Sequence, residues 1–100
     1  MFIKGYIMKK KHRNIEKDFS YVCYNPCGFD KHKLEKIELL PEEIEAIRLS
    51  DYEGLYQEEC AKKMGISRTT FSRILSSAHK KIADGFINKK AIRIDKWKKY

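Results

Sequence analysis

The chain has 100 residues, of which 42% are hydrophobic, and carries a formal net charge of +8. This length allows one domain with a small core, and the apolar content excludes a disordered chain. No stretch approaches the ~20 apolar residues of a membrane span, and the first residues lack the apolar region of a secretory signal. We therefore expect a folded domain with a polyanionic partner and no membrane association.

The charges are segregated along the chain. Residues 1–20 carry six Lys/Arg and two acids, residues 21–60 carry four and ten, and residues 61–100 carry twelve and two, giving net charges of +4, −6 and +10. A soluble surface without a charged partner would mix the two signs more evenly. The distribution predicts that the C-terminal half contacts the polyanion.

The basic N-terminal segment, residues 1–18, precedes a single predicted domain at 19–94. Met8, followed by Lys9 to Arg13, is a candidate for a second translation start. The segment is either a solvated tail or an arm that contacts phosphates and becomes ordered on DNA. Residues 95–100, DKWKKY, form a cationic tail that is either disordered or adds phosphate affinity.

Two short stretches are rich in residues that favour strands. Residues 19–24, FSYVCY, predict a strand before a turn at Asn25-Pro26-Cys27-Gly28, and residues 91–94, AIRI, predict a second extended segment. The two are expected to pair, within one chain or across a dimer. Residues 33–40 fit either a short strand or a helical turn.

A helix is predicted to begin at Pro41, since proline fits the first helical position and the following glutamates suit the positive end of the helix dipole. Gly54 is a plausible stop for this helix. Apolar residues at helical spacing are expected to pack on the helices that follow: Leu40, Ile44, Ile47 and Tyr52.

The stretch Tyr56 to Ile82, YQEECAKKMGISRTTFSRILSSAHKKI, has the spacing of a helix-turn-helix. Ala61 is small enough for two crossing helices to approach closely. Gly65 tolerates the positive φ of the turn, and Ser67 is a good N-cap for the second helix. The apolar residues expected between the helices are Cys60, Met64, Ile66, Phe71 and Ile74.

The second helix is predicted to run to about Asn88, with loose last turns because Gly85 lowers helix propensity. At about 100° per residue, one stripe is apolar: Phe71, Ile74, Leu75, Ala78 and Ile82. The opposite stripe consists of Thr69, Arg73, Ser76 and Lys80, with Ser72 at its edge. This outer stripe has no carboxylate and offers the donors that bind phosphates and base edges.

The three cysteines do not predict a disulfide framework, and their use is typical of a reducing cytoplasm. A structural zinc site could be considered at Cys23, Cys27 and His32, with His12 as a fourth ligand. These residues lack the paired spacing that such a site needs. Cys60 is predicted to lie in the core and His79 on the surface. With no phosphate loop, nucleophile elbow or paired metal carboxylates, we expect no enzyme activity, metal or cofactor.

Three pieces of the chain, EAIRLSDYEGL, QEECAKKMGISRTTFSRIL and KKAIRI, resemble small prokaryotic proteins of uncharacterised protein family 0251, or domain of unknown function 134. The resemblance spans about residues 9–94. It implies a DNA-binding protein whose helix-turn-helix is similar to region four of sigma-70-type factors, with no known activity or target. Tyr56 replaces a common Ser cap, Gly85 replaces an expected Ala, and the first seven residues have no counterpart.

We therefore expect a mainly α domain, with three helices and short extended segments near both ends, that binds double-stranded DNA and regulates transcription. The candidate DNA contacts are Ser67, Arg68, Thr69, Thr70, Ser72, Arg73, Ser76, Lys80, Lys81, Lys62 and Lys63. Arg73 is expected to read a base and the four lysines to hold phosphates, in a homodimer on a repeated site. The alternatives are a sigma-like adaptor that binds polymerase or another regulator, and a Cys/His metal or thiol sensor.

Overall fold

The computed structural model describes residues 22–94 of the chain. In chain order the elements are β1 (Val22–Tyr24), β2 (Lys36–Leu39), α1 (Pro41–Ile47), a π-helical segment (Arg48–Tyr52), α2 (Gln57–Met64), α3 (Arg68–Asn88) and β3 (Ala91–Ile94). The predicted class, mostly helical with short strands, is confirmed. The basic segment 1–18, the start of the predicted strand at 19–21 and the tail 95–100 lie outside the described residues.

The three strands form one sheet with β3 in the centre. β1 is antiparallel to β3, so the predicted pairing of the two extended segments occurs within one chain. β2 is parallel to β3, which resolves the ambiguity over residues 33–40 in favour of a strand. Along β2, Ile37 and Leu39 are buried and their neighbours are exposed, as expected for a sheet with one covered face.

α1 begins as predicted, with Leu40 as its extended N-cap and Pro41 at the first helical position. From Arg48 the winding widens to i→i+5, shown by the bond from the Glu53 N–H to the Arg48 carbonyl at 2.8 Å. The prediction that Tyr52 packs inward is wrong, because this change of winding turns the side chain outward and leaves it 83% exposed. Leu49 fills the core position instead. The same prediction is wrong for Leu40, which is 42% exposed because it lies before the helix as its extended N-cap.

α2 and α3 are joined by a tight turn at the predicted position. Gly65 has φ 69° and ends α2, and the Ile66 N–H bonds the Ala61 carbonyl at 3.0 Å. This αL ending satisfies a carbonyl of the last helical turn. The core between α1, the π-helical segment, α2 and α3 consists of Ala46, Leu49, Cys60, Ala61, Met64, Phe71, Ile74 and Leu75.

A second core cluster joins α3 to the sheet and consists of Leu39, Ala78, Ile92 and Ile94. Gly85 lies beside it, is buried, and has no room for a side chain: a Cβ there would lie 2.9 Å from Cδ1 and Cγ1 of Ile92. The prediction of loose last turns is therefore wrong. α3 continues to Asn88, and glycine permits its close approach to β3.

Two buried glutamates fix α1 within this framework. Glu43 accepts hydrogen bonds from the backbone N–H of Leu40 (2.8 Å), from Ser77 Oγ (2.6 Å) and from Lys81 Nζ (2.8 Å). Glu45 is fully buried and accepts hydrogen bonds from Nε and Nη2 of Arg48, at 3.0 and 2.9 Å. Both carboxylates are paired, and Glu43 ties α1 to the middle of α3.

No helix within residues 22–94 is long and apolar enough to cross a membrane.

Candidate nucleic-acid interface

The first half of α3 and the start of α2 together line a concave surface with a volume of about 370 Å³. The six residues that line it are Gln57, Arg68, Thr69, Ser72, Arg73 and Ser76. None of them is acidic, and among residues 22–94 neither Arg68 nor Arg73 forms an ion pair. The surface therefore presents two uncompensated guanidinium groups, three hydroxyls and one carboxamide.

The N-terminal end of α3 is fixed by Ser67, which is its N-cap as predicted. Ser67 Oγ accepts the Thr70 N–H at 3.1 Å and donates to Thr70 Oγ1 at 3.0 Å. Both hydroxyls are thus used in holding the first turn. Neither residue lines the concave surface, so their role there is to hold the helix end that carries it.

We expect Ser67→Ala to lower the free energy of unfolding by about 1 kcal/mol, because the variant loses an N-cap hydrogen bond. Urea unfolding followed by circular dichroism would measure this. Ser76→Ala is the matched control, since Ser76 is exposed on the same helix and should change stability by no more than about 0.5 kcal/mol. Equal losses in the two variants would contradict the capping role.

Gln57 is the residue of this surface that sequence reasoning missed. In the sequence it only marks the start of α2, ten or more positions before the other lining residues. The packing of α2 on α3 brings its half-buried side chain into the same surface as Arg68 and Arg73. No local pattern carries this information, because it depends on how the two helices cross. Tyr56 before it makes no side-chain cap bond, as expected from the absent serine.

The four candidate lysines lie in two different environments. Lys62 and Lys63 are exposed in the last turn of α2, and Lys80 is exposed on α3 beyond the concave surface. Lys81 instead donates to Glu43 Oε1 at 2.8 Å and to the Glu38 carbonyl at 2.9 Å. Its side chain is one-third exposed and its ammonium is bound to these two acceptors, so Lys81 is less suited to phosphate binding than the other three lysines.

The cysteines and His79 lie apart from the concave surface. Cys60 is fully buried as predicted, and burial raises the pKa of its thiol. Cys23 and Cys27 are exposed, and no cluster of three or more metal-binding side chains occurs in the described part of the chain, which does not include His12. His79 is half exposed, with Nε2 at 2.7 Å from Asp51 Oδ2, so it links α3 to the π-helical segment.

Comparison with known proteins places this chain among uncharacterised relatives. A family described as "Protein of unknown function DUF134" matches residues 1–98, which includes the first seven residues. A UPF0251 protein of Moorella thermoacetica is 53% identical over 72 residues, 72% of this chain and 48% of that protein. UPF0251 protein TTE1845 of Caldanaerobacter subterraneus subsp. tengcongensis is 48% identical over 85 residues, 85% of this chain and 72% of that protein.

A third relative, a UPF0251 protein of Prosthecochloris aestuarii, is 49% identical over 73 residues, 73% of this chain and 47% of that protein. The matched region thus spans about half the length of the Moorella and Prosthecochloris proteins and about three quarters of the Caldanaerobacter protein. No solved structure gives a significant match to the chain.

Proposed function

The chain belongs to the DUF134 family, and from its concave surface we propose that it binds double-stranded DNA, with the N-terminal half of α3 in the major groove. The observation that carries the proposal is the pairing of Arg68 and Arg73 with three hydroxyls on a surface free of carboxylates. The α2–turn–α3 unit then acts as a helix-turn-helix of the sigma-70 region-four type. A cytoplasmic transcriptional regulator is the role that fits this binding.

The shape of α3 favours groove entry. An α-helix with its side chains is about 10–12 Å wide, close to the width of the B-DNA major groove. Around Arg73 the neighbouring side chains on the outer stripe are short: Thr69, Ser72 and Ser76. The helix axis can therefore approach the base edges closely, and the long Arg73 side chain can extend to the groove floor. Guanine, with its N7 and O6 acceptors, is the base that a guanidinium binds bidentately.

The surrounding charges favour the same orientation. Lys62 and Lys63 at the end of α2 and Lys80 on α3 are exposed on the two helices that line the concave surface, and lysines of this kind bind phosphates. Of the ten acids in residues 21–60, eight precede α2, and none of the ten lines the concave surface; Glu58 and Glu59 are exposed in the first turn of α2. Glu43 and Glu45 among them are buried in ion pairs and add nothing to the field outside.

A salt titration of binding to a mixed duplex pool tests the proposal. We expect binding at about 50 mM salt that weakens as salt rises, because phosphate contacts release counterions. Ser72→Glu should abolish it by placing a carboxylate in the centre of the concave surface. Tyr52→Glu is the control, since it adds the same charge at a side chain that is 83% exposed and outside that surface.

The second candidate function is a protein-interaction module, such as an adaptor for polymerase. Tyr52 and Tyr56 favour it, because they are 83% and 85% exposed and large aromatic side chains are enriched in protein interfaces. The titration separates the two functions. If the wild-type chain binds no duplex at about 50 mM salt, DNA binding is excluded and the interaction module remains.

A further inference from the structure

Two large apolar side chains are exposed at the C-terminal end of α3. Phe86 and Ile87 are each 74% exposed and lie side by side in its last turn. The residue before them, Gly85, faces β3, so the next two positions point away from the core. The fold of residues 22–94 gives these two side chains no packing role.

The turn that carries them is well ordered by polar contacts. Asp84 accepts Asn88 Nδ2 at 2.6 Å and Lys90 Nζ at 3.1 Å, and these bonds lower the pKa of its carboxyl. The Lys90 N–H also bonds the Gly85 carbonyl at 2.9 Å. Phe86 and Ile87, which we call the apolar pair, are thus presented on a fixed helical turn, with little ordering entropy left to lose on contact.

We propose that the apolar pair packs against the apolar pair of a second copy of this chain when both copies are bound to DNA. This inference rests on the DNA-binding function proposed above. One recognition helix covers only a few base pairs, so a single copy provides an incomplete site. An isologous contact at the end of α3 supplies the second half with two-fold symmetry, and two-fold symmetry requires an inverted repeat in the DNA.

The length of α3 matches the spacing that B-DNA imposes. Arg73 and Phe86 are 13 positions apart on one helix, which is about 20 Å at 1.5 Å per residue. Two copies joined end to end at the apolar pair would place their Arg73 side chains about 40 Å apart. A bend of about 50–60° between the two helix axes reduces this to the ~34–36 Å that separates successive major grooves on one face of the duplex.

The size of the contact explains why the dimer forms on DNA rather than in free solution. Phe86 and Ile87 together offer on the order of 300 Å² per copy, well below the ~800 Å² per partner of a stable complex. Each copy also carries a net charge of +8, so two free copies repel each other. Phosphates neutralise that charge, and neighbouring half-sites hold the two copies at a high effective concentration.

The test begins with selection of bound duplexes from a random pool by the wild-type chain. We expect inverted repeats whose half-site centres lie about 10 base pairs apart. On such a duplex, inserting 5 base pairs between the half-sites should lower affinity at least about 10-fold, because it moves the second site to the opposite face. Selection of single or directly repeated sites would overturn the proposal.

The double variant Phe86→Gln, Ile87→Gln isolates the apolar pair. It should bind one half-site as the wild type does and lose the affinity gained from the second half-site. Tyr52→Gln, at a similarly exposed aromatic residue, is the control and should keep the cooperative binding. Retained cooperativity in the double variant would overturn the proposal. So would a loss of unfolding free energy in that variant, since it would show that the pair packs within its own chain. Failure of the wild type to bind any duplex is a different result and removes DNA binding itself.

Discussion

Replacing Lys81 by methionine is expected to lower the free energy of unfolding by about 3 kcal/mol. The substitution keeps the length of the side chain but leaves the carboxylate of Glu43, whose side chain is only 5% exposed, without its cation. Removing one partner of a buried ion pair is far more destabilising than removing both. Urea unfolding at neutral pH, followed by circular dichroism, measures the effect.

Adding Glu43→Gln to that variant should restore part of the lost stability. The amide oxygen can still accept the hydrogen bond from the Leu40 N–H, the amide nitrogen can donate to Ser77 Oγ, and no unpaired charge is left in the interior. A double-mutant cycle over positions 43 and 81 gives the coupling energy directly. A coupling near zero would contradict the ion pair as the element that joins α1 to α3.

The neighbouring Lys80 is the matched control for both stability and binding. It is exposed, one residue away on the same helix, and forms no ion pair with another residue of 22–94. Lys80→Met should change stability by no more than about 0.5 kcal/mol, but weaken binding to all duplexes alike and reduce the salt slope by about 1. Lys81→Met should bind DNA normally under conditions in which it is folded. The opposite outcome for the two lysines would reverse our assignment of their roles.

Replacing Arg73 by alanine is expected to reduce discrimination between the selected site and a site with one guanine changed by about 1–3 kcal/mol. The loss should be concentrated at one base pair, because a bidentate contact with O6 and N7 of guanine discriminates against every other base. Fluorescence anisotropy with the selected duplex and its single-base variants, at one fixed salt concentration, measures it.

Arg93→Ala is the control for the charge lost in this substitution. Arg93 is exposed on β3, away from the concave surface, and its replacement removes the same unit of charge. We expect Arg93→Ala to leave the base preference unchanged. If Arg73→Ala weakens every duplex equally, Arg73 contacts phosphate and another side chain of the concave surface must read the bases.

Much of the α2–turn–α3 unit was predictable because its determinants are local. Gly65 ends α2 in the left-handed region and Ser67 caps α3 through a bond to Thr70, three residues away. The apolar spacing likewise identified Phe71 and Ile74 as core residues. Each of these features depends on dihedral preference, hydrogen bonding within one turn or helical periodicity, and all three can be read from neighbouring residues.

The tertiary structure decided what depends on residues far apart in the chain. Lys81 looks like any cation of a basic helix, and only the packing of α1 on α3 gives it a buried carboxylate 38 residues away. Gly85 lowers the helix propensity of α3 when it is considered by itself. The structure shows that Ile92 of β3 occupies the space where a side chain at position 85 would lie. Gln57 joins the concave surface only because α2 crosses α3 next to Arg68. The sequence by itself determined α2, the turn, α3 and the outer face of α3, since these follow from local propensity. The contacts between side chains of different elements follow from long-range packing, which no local pattern encodes.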